Sequence, residues 1–384
     1  MLGLEITLCM AFVCCHSTNT NTNTNTNTAS PSIPSHCPAT TTNTINVGYY
    51  QSWSKYRTST CHPLTANAIP VSTFGYTHLI YSFAGISPLG ELEPYNGIMD
   101  EVELYRLFNS LKDANTGLKT LIAVGGWNFD QSRFTTASST PASRTKFANS
   151  VVSFLQLYNF DGIDFDWEYP VTRQGTPADY DNYVSLVREV RRVMDEAGLT
   201  GSDNGGSTGL ITMAIPCNPD KLNEGYDLPS LAQHLDWFHL MSYDIYGAWD
   251  SIAGSNTDMP YIEMTVDYIL NQGVDSSQLT LGFASYGRSM KLGDAACATM
   301  GCPISGPGMT GCSGEVSLIA VCILIFSKVT TILTNNPFPI ITSPATLLPT
   351  TANIAKWDNT KAMLGFPVPS PLRGKTMNVS LIVV

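Results

Sequence analysis

Short runs of β-branched and aromatic residues alternate along this chain with segments of helical period, and that alternation restricts the fold more than any other feature. In chain order the strand candidates are INVGYY from Ile45, THLIYSF from Thr77, KTLIAV from Lys119, GIDFDW from Gly162, LITMAI from Leu210, WFHLMS from Trp237 and LTLGFA from Leu279. Between them, Phe147, Val151, Phe154, Leu155 and Tyr158 fall on one helical face, and so do Tyr183, Val184, Val187, Val190 and Met194. Strands joined by helices run parallel. A closed eight-stranded α/β barrel needs roughly 250 residues, which fits within the 384 residues present. The expected fold class is therefore α/β, a (β/α)8 TIM barrel, with seven of its strands visible.

The fourth run carries the chemistry. From Asp161 to Pro170 it reads DGIDFDWEYP. The two-residue period of a strand puts Asp164, Asp166 and Glu168 on one face, with Ile163, Phe165 and Trp167 on the other. An acidic surface turn would not alternate in this way. The acids point into the barrel, and three carboxylates there cannot all stay ionised, so some of their pKa values must rise. A carboxyl held neutral near pH 7 can act as an acid. Glu168 stands last, at the C-terminal end of the strand where barrel enzymes place their chemistry. Asp161 has the wrong parity for that face and is assigned to supporting the start of the strand.

Composition narrows the partners. Net charge is −11 and charged residues make up 13% of the chain, so nucleic acid and acidic membranes are disfavoured and neutral substrates are natural. No cysteine pair has zinc-site spacing with histidines nearby, and no metal or cofactor is indicated. Disulfides suit the cysteines better, with Cys37 and Cys61 as one candidate pair and a loop staple among Cys297, Cys302 and Cys312. The apolar run LEITLCMAFVCC, residues 4–15, has the length of a secretory leader and is too short to span a bilayer. The Asn/Thr-rich stretch after it cannot bury apolar surface and reads as a linker. The expectation is a leader over 1–17, a linker over 18–44, secretion and a monomer with no membrane span.

The acid strand matches D-x-x-D-x-D-x-E, and the chain resembles glycoside hydrolase family 18. The likeness runs from about Val47 to Gly314 and includes GYYQSW around Tyr49, AVGGW at 123–127, LMSYD at 240–244 and SYGRS at 285–289. It implies a chitinase with a catalytic barrel over 45–290 and a small α+β insertion over 291–362. The partners implied are chitin or chitooligosaccharides, cut by a substrate-assisted route that departs from the usual two-carboxylate scheme. The roles implied are Glu168 as proton donor, Asp166 holding the substrate acetamide, Asp164 sharing a proton with Asp166, and Tyr243 orienting the acetamide oxygen. Met241 would pack beneath the acetyl group and Asp244 would bind sugar hydroxyls, while Tyr49, Phe83, Trp127, Trp249, Tyr286 and Arg288 would line the sugar sites. Trp53, Trp237, His78 and His239 are expected in the core.

After Glu315 the family pattern stops, returning only at IAKWDNTKA from Ile354. The family's eighth strand carries a Trp that floors the central sugar site, and none follows Trp357. Residues 363–384 thus form an aberrant tail, produced by altered splicing, a frameshift or a true truncation. NVSLIVV from Asn378 is a candidate eighth strand with no closing helix after it, and without it strands one and seven would carry open edges. Three other readings stand beside an active chitinase. They are a chitin-binding lectin on the same barrel, an endo-β-N-acetylglucosaminidase acting on N-glycans, and an inactive product of the altered tail. Glu168 favours an active enzyme over a lectin, and SYGRS with its insertion favours chitin over N-glycans.

Overall fold

The computed structural model describes residues 45–57, 63–69, 71, 75–95, 100–199, 209–284, 286–297, 299–308 and 378–382. The expected leader, the Asn/Thr-rich stretch, Cys37, Cys61 and most of residues 291–384 lie outside this set.

All seven strand candidates form strands. They are β1 (Asn46–Gln51), β2 (His78–Ile86), β4 (Lys119–Gly125), β5 (Gly162–Asp166), β6 (Leu210–Pro216), β7 (Trp237–Met241) and β8 (Leu279–Ala284). A three-residue strand, β3 (Leu92–Pro94), hangs antiparallel on β2, so the acid strand is β5 although it is fourth in the barrel. Farther on, β9 (Met290–Leu292) and β10 (Ile304–Pro307) make an antiparallel hairpin, and a Cys297–Cys302 disulfide supplies the expected loop staple beside it. Cys217 is free and buried. No helix among the described residues is long and apolar enough to cross a membrane.

The candidate tail strand is present. Residues Asn378–Ile382 form β11, which pairs parallel with β8 on one side and with β1 on the other. Since β1 also pairs with β2, the order β1-β11-β8-β7-β6-β5-β4-β2 closes on itself. The eighth strand is short, and where it lies it fills the seam between β1 and β8. Closure removes the unpaired ladder groups that an open sheet would offer to other chains.

Two apolar layers hold the ring. Inside it, Val47, Tyr49, Ile80, Leu121, Ala123, Leu210 and Trp237 pack together. Outside, the apolar side of β5 meets the helices Ser132–Ser138, Pro141–Tyr158 and Asp179–Glu196, and Phe165 and Trp167 are fully buried against Phe134, Phe147 and Tyr183. The helix Pro141–Tyr158 starts on a capping box from Thr140 and Ser143 and ends on Asn159 in the left-handed region. Its buried residues include Phe147, Val151, Phe154 and Leu155, the face its sequence period marked. His78 and His239 are buried as expected, each with a threonine hydroxyl on Nδ1. Burial lowers their pKa values to about 4 and about 3, so both are neutral at pH 7. Trp237 is likewise buried.

Trp53 is not in the core. It is 44% exposed, because the chain leaves the strand period at Gln51 and turns through a short 3-10 helix that buries Ser52 and Ser54 instead.

A test of ring closure is Ser380→Pro, which removes a backbone donor from a strand with neighbours on both sides. Destabilisation of about 3 kcal/mol or more is expected, read as a lower melting temperature, and an unchanged melt would contradict closure by this segment.

Candidate active site

Strand register delivers the acids to the lumen. Asp164 stands opposite Ala123 on β4 and Thr212 on β6, so those side chains share its inward face. Thr212 Oγ1 donates to Asp164 Oδ1 at 2.6 Å, and Tyr49 Oη donates to Oδ2 at 2.9 Å. Both oxygens of Asp164 thus have hydroxyl donors, although burial still pushes its pKa up to about 7. Asp166 is buried too, and its Oδ1 has no hydrogen-bond partner among the described residues. Burial raises its pKa well above the usual carboxylate range, and the charges of Glu168 and Asp164 raise it further.

The ladder ends at Asp166, not at Glu168. Asp166 pairs with Gly125, the last residue of β4, and its carbonyl accepts from Gly126 N at 2.9 Å. Gly125 is required there, since a Cβ would stand 2.2 Å from the Asp166 carbonyl oxygen, and its φ is +111°. Glu168 therefore sits two residues past the sheet, 8% exposed at the mouth of the barrel. Burial raises its pKa to about 7, while hydrogen bonding to Tyr169 and the positive charges of Arg173 and Lys221 pull the other way.

Asp161 lies apart, at the other end of the strand. Its Oδ2 accepts from Thr120 N at 2.8 Å and from Lys112 Nζ at 3.0 Å. Those bonds tie the start of β5 to β4 and to the helix before it, which is the supporting place its parity indicated.

Tyr243, just past β7, is half-buried with its ring edge toward Tyr286, and burial raises its hydroxyl pKa. Met241 ends β7 and is partly exposed. Asp244 adopts φ +58° and is engaged by its neighbours, with Tyr286 Oη donating to it at 2.6 Å and Arg288 gripping both oxygens at 2.5 Å. Arg288 also lies over the Trp249 ring, 4.7 Å from its centroid. Trp127 and Trp249 are 54% and 60% exposed, and Phe83 stacks on Trp53 with centroids 5.9 Å apart. Tyr49 is the exception among the expected sugar-site residues. It is buried beneath the acids and touches Asp164, because its odd-numbered place on β1 turns it into the lumen.

Sequence reasoning missed Gln131, Arg173, Lys221 and Tyr169. Tyr169 directly follows Glu168, and Lys221 Nζ lies 4.2 Å from its ring centroid. The first three stand on loops or at helix starts, where no period marks a side chain as facing the site.

A ring of parallel strands with two carboxyls in its lumen, a third at its C-terminal mouth and exposed tryptophans beside it defines an acid-centred α/β barrel. The family model for glycosyl hydrolases family 18 matches residues 45–362, and the chain belongs to that family. It is 33% identical over 263 residues to "Probable chitinase 2" of Drosophila melanogaster, covering 64% of this chain and 51% of that protein. To "Chitotriosidase-1" of Mus musculus it is 33% identical over 279 residues, covering 69% and 58%. The chain thus spans little more than half the length of these curated relatives. Among solved structures it resembles the Group IV chitinase of Ostrinia furnacalis, with 31% identity, a TM-score of 0.63 and coverage of 70% of this chain and 74% of that one.

The raised carboxyl pKa values carry a pH sign. A carboxyl with a folded pKa near 7 contributes stability in full below its unfolded pKa near 4, and that contribution is lost as pH rises through 7. His78 and His239 act oppositely, losing stability as pH falls from about 6.5 toward 4. Asp164→Asn should therefore stabilise the protein more at pH 8 than at pH 5, by on the order of 2 kcal/mol in the difference. Denaturant melts at the two pH values measure this, and an equal effect at both would show that Asp164 is not shifted.

Proposed function

We propose that the chain hydrolyses β-1,4 linkages between N-acetylglucosamine units of chitin, with retention of configuration and with the substrate's own acetamide as nucleophile. The observation that carries this reading is the contrast between neighbours in the acid row. Asp166 holds a buried oxygen with no donor among the described residues, while Glu168 at the mouth keeps its proton to about pH 7. A substrate N–H placed at Asp166 Oδ1 would satisfy that oxygen, which no metal or second carboxyl needs to do. Relatives named as chitinases in fly and moth, and a structure of the moth enzyme holding allosamidin, agree with this substrate class.

In the proposed sequence Glu168 donates its proton to the glycosidic oxygen as the bond to C1 breaks. The acetamide carbonyl oxygen bonds to C1 on the opposite face, giving an oxazolinium whose N–H is held by Asp166. Its positive charge is offset by the carboxylate. Tyr243, at the end of β7, is suited to donate to the acetamide oxygen and fix its approach. Water then attacks C1, Glu168 takes its proton, and the acetamide is released. Asp164, with Tyr49 and Thr212 on its two oxygens, sets the charge that Asp166 can bear.

The rim fits an unbranched polymer of neutral sugars. Trp53, Trp127 and Trp249 present exposed ring faces, and such faces stack on pyranose rings. A lectin on the same barrel would need no proton donor, so Glu168 speaks for turnover. We also propose secretion, since chitin is an insoluble polymer met outside the cell and the apolar N-terminal run suits export.

Glu168→Gln should bind chito-oligosaccharides within about threefold of wild type while losing at least 100-fold in turnover, because the amide keeps the shape without an acidic proton. Wild-type activity should fall about tenfold per pH unit above pH 7 as Glu168 ionises. Steady-state kinetics on a chitotriose substrate check both. Near-wild-type turnover in the variant would overturn the assignment of the acid.

A further inference from the structure

The sheet stops holding the chain at Asp166, yet the acid that must be aimed to a fraction of an ångström is two residues farther on. Both polar groups of the Glu168 peptide are instead taken by side chains. Its N–H donates to Gln131 Oε1 at 3.1 Å, and its carbonyl accepts from Arg173 Nη1 at 3.2 Å. We infer that Gln131 and Arg173 are positioning residues, a clamp that stands in for the missing ladder and fixes the backbone from which the Glu168 carboxyl projects. The inference rests on the hydrolytic reading given above for what the clamp serves.

Gln131 is built for this and little else. It is fully buried, and its amide donates to Gly126 O at 2.8 Å and to Phe129 O at 3.0 Å. Each hydrogen on Nε2 thus has an acceptor in the loop after β4, and Oε1 is left to face Glu168. Its backbone N–H donates to Gln174 Oε1 at 2.9 Å, which binds it to the loop after β5. Arg173 closes the other side. The same Nη1 donates to Trp127 O at 2.8 Å, and the guanidinium carbon lies 3.9 Å from the Trp127 ring centroid. The acid's backbone, the exposed tryptophan and the loop that joins them therefore share one cation.

Backbone strain lies in the same loop. Val171 has φ +68° and Gln174 has φ +58°, and a β-branched residue in that region is costly. Thr172 N donates to Pro170 O at 2.8 Å, and Asp179 Oδ2 accepts from Thr176 N at 2.6 Å and from Thr135 Oγ1 at 2.9 Å, so the loop is held from within and from the helix behind it. The strained turn places Arg173 back over Glu168.

The full chain, Gln131→Met and Arg173→Met test this through two readouts. Amide exchange at Glu168, followed by NMR on protein labelled with 15N-glutamate and 15N-phenylalanine, should run at least tenfold faster in Gln131→Met, with Phe165 on β5 within twofold of wild type. On a chitotriose substrate kcat should fall tenfold or more in Gln131→Met with KM within twofold, since Gln131 is fully buried and its side chain is spent on backbone groups. An unchanged Glu168 amide, or an equal rise across β5, would overturn the clamp, as would a loss of activity carried wholly by KM. If Gln131→Met does not fold, Arg173→Met decides on kinetics, because a clamp requires kcat to fall by more than KM rises and a mere tryptophan contact does not. If the wild-type chain leaves chitotriose intact, the hydrolytic reading fails, and the exchange comparison still decides whether Gln131 holds Glu168.

Discussion

Everything at the mouth of this barrel follows from placing three carboxyls in one row, two on the inward face of β5 and the third two residues past its end, with nowhere to put the charge. Asp164 and Asp166 are inside the ring, where ionisation is penalised by burial, and each additional charge raises its neighbours. The protein answers with two hydroxyl donors for Asp164, no donor among the described residues for one oxygen of Asp166, and cations placed near Glu168 but off its row. The result is a graded series. Burial raises all three pKa values, and the acids differ in their partners: the innermost has a hydroxyl on each oxygen, the middle one has an oxygen unmet among the described residues, and the outermost stands at the mouth beside Arg173 and Lys221.

That gradation depends on closure of the ring. The lumen is a low-dielectric site only if strands surround it, and the short strand Asn378–Ile382 completes the circle between β8 and β1. The outer layer matters for the same reason. Phe165 and Trp167 anchor β5 from behind, stacked or edged against Phe134, Phe147 and Tyr183, so the inward acids cannot turn outward to reach solvent.

The strands and the acid row were legible in the sequence because both are periodic. A two-residue alternation names the inward face of β5 without any structure, and it correctly separates Asp161 from the acids above it. Tyr49 shows the limit, since its motif marks it as part of the site but only the register across the lumen reveals its hydrogen bond to Asp164. Trp53, Gln131 and Arg173 were beyond reach for a different reason. They stand on turns, where a side chain's direction is set by local dihedrals and by loops distant in sequence. The tail departs from the family pattern after Glu315, and its strand's place in the ring is legible only through backbone pairing, which no side-chain pattern marks.

The most direct test of a substrate-assisted route through this acid row is the anomeric form of the first product. Two inversions at C1, one by the acetamide and one by water, leave the configuration unchanged. A proton NMR time course of chitohexaose hydrolysis, begun within the minutes before mutarotation, should show β-anomer at the new reducing ends. An initial α-anomer would mean that water attacks directly, and the role given to Asp166 and the acetamide would be wrong.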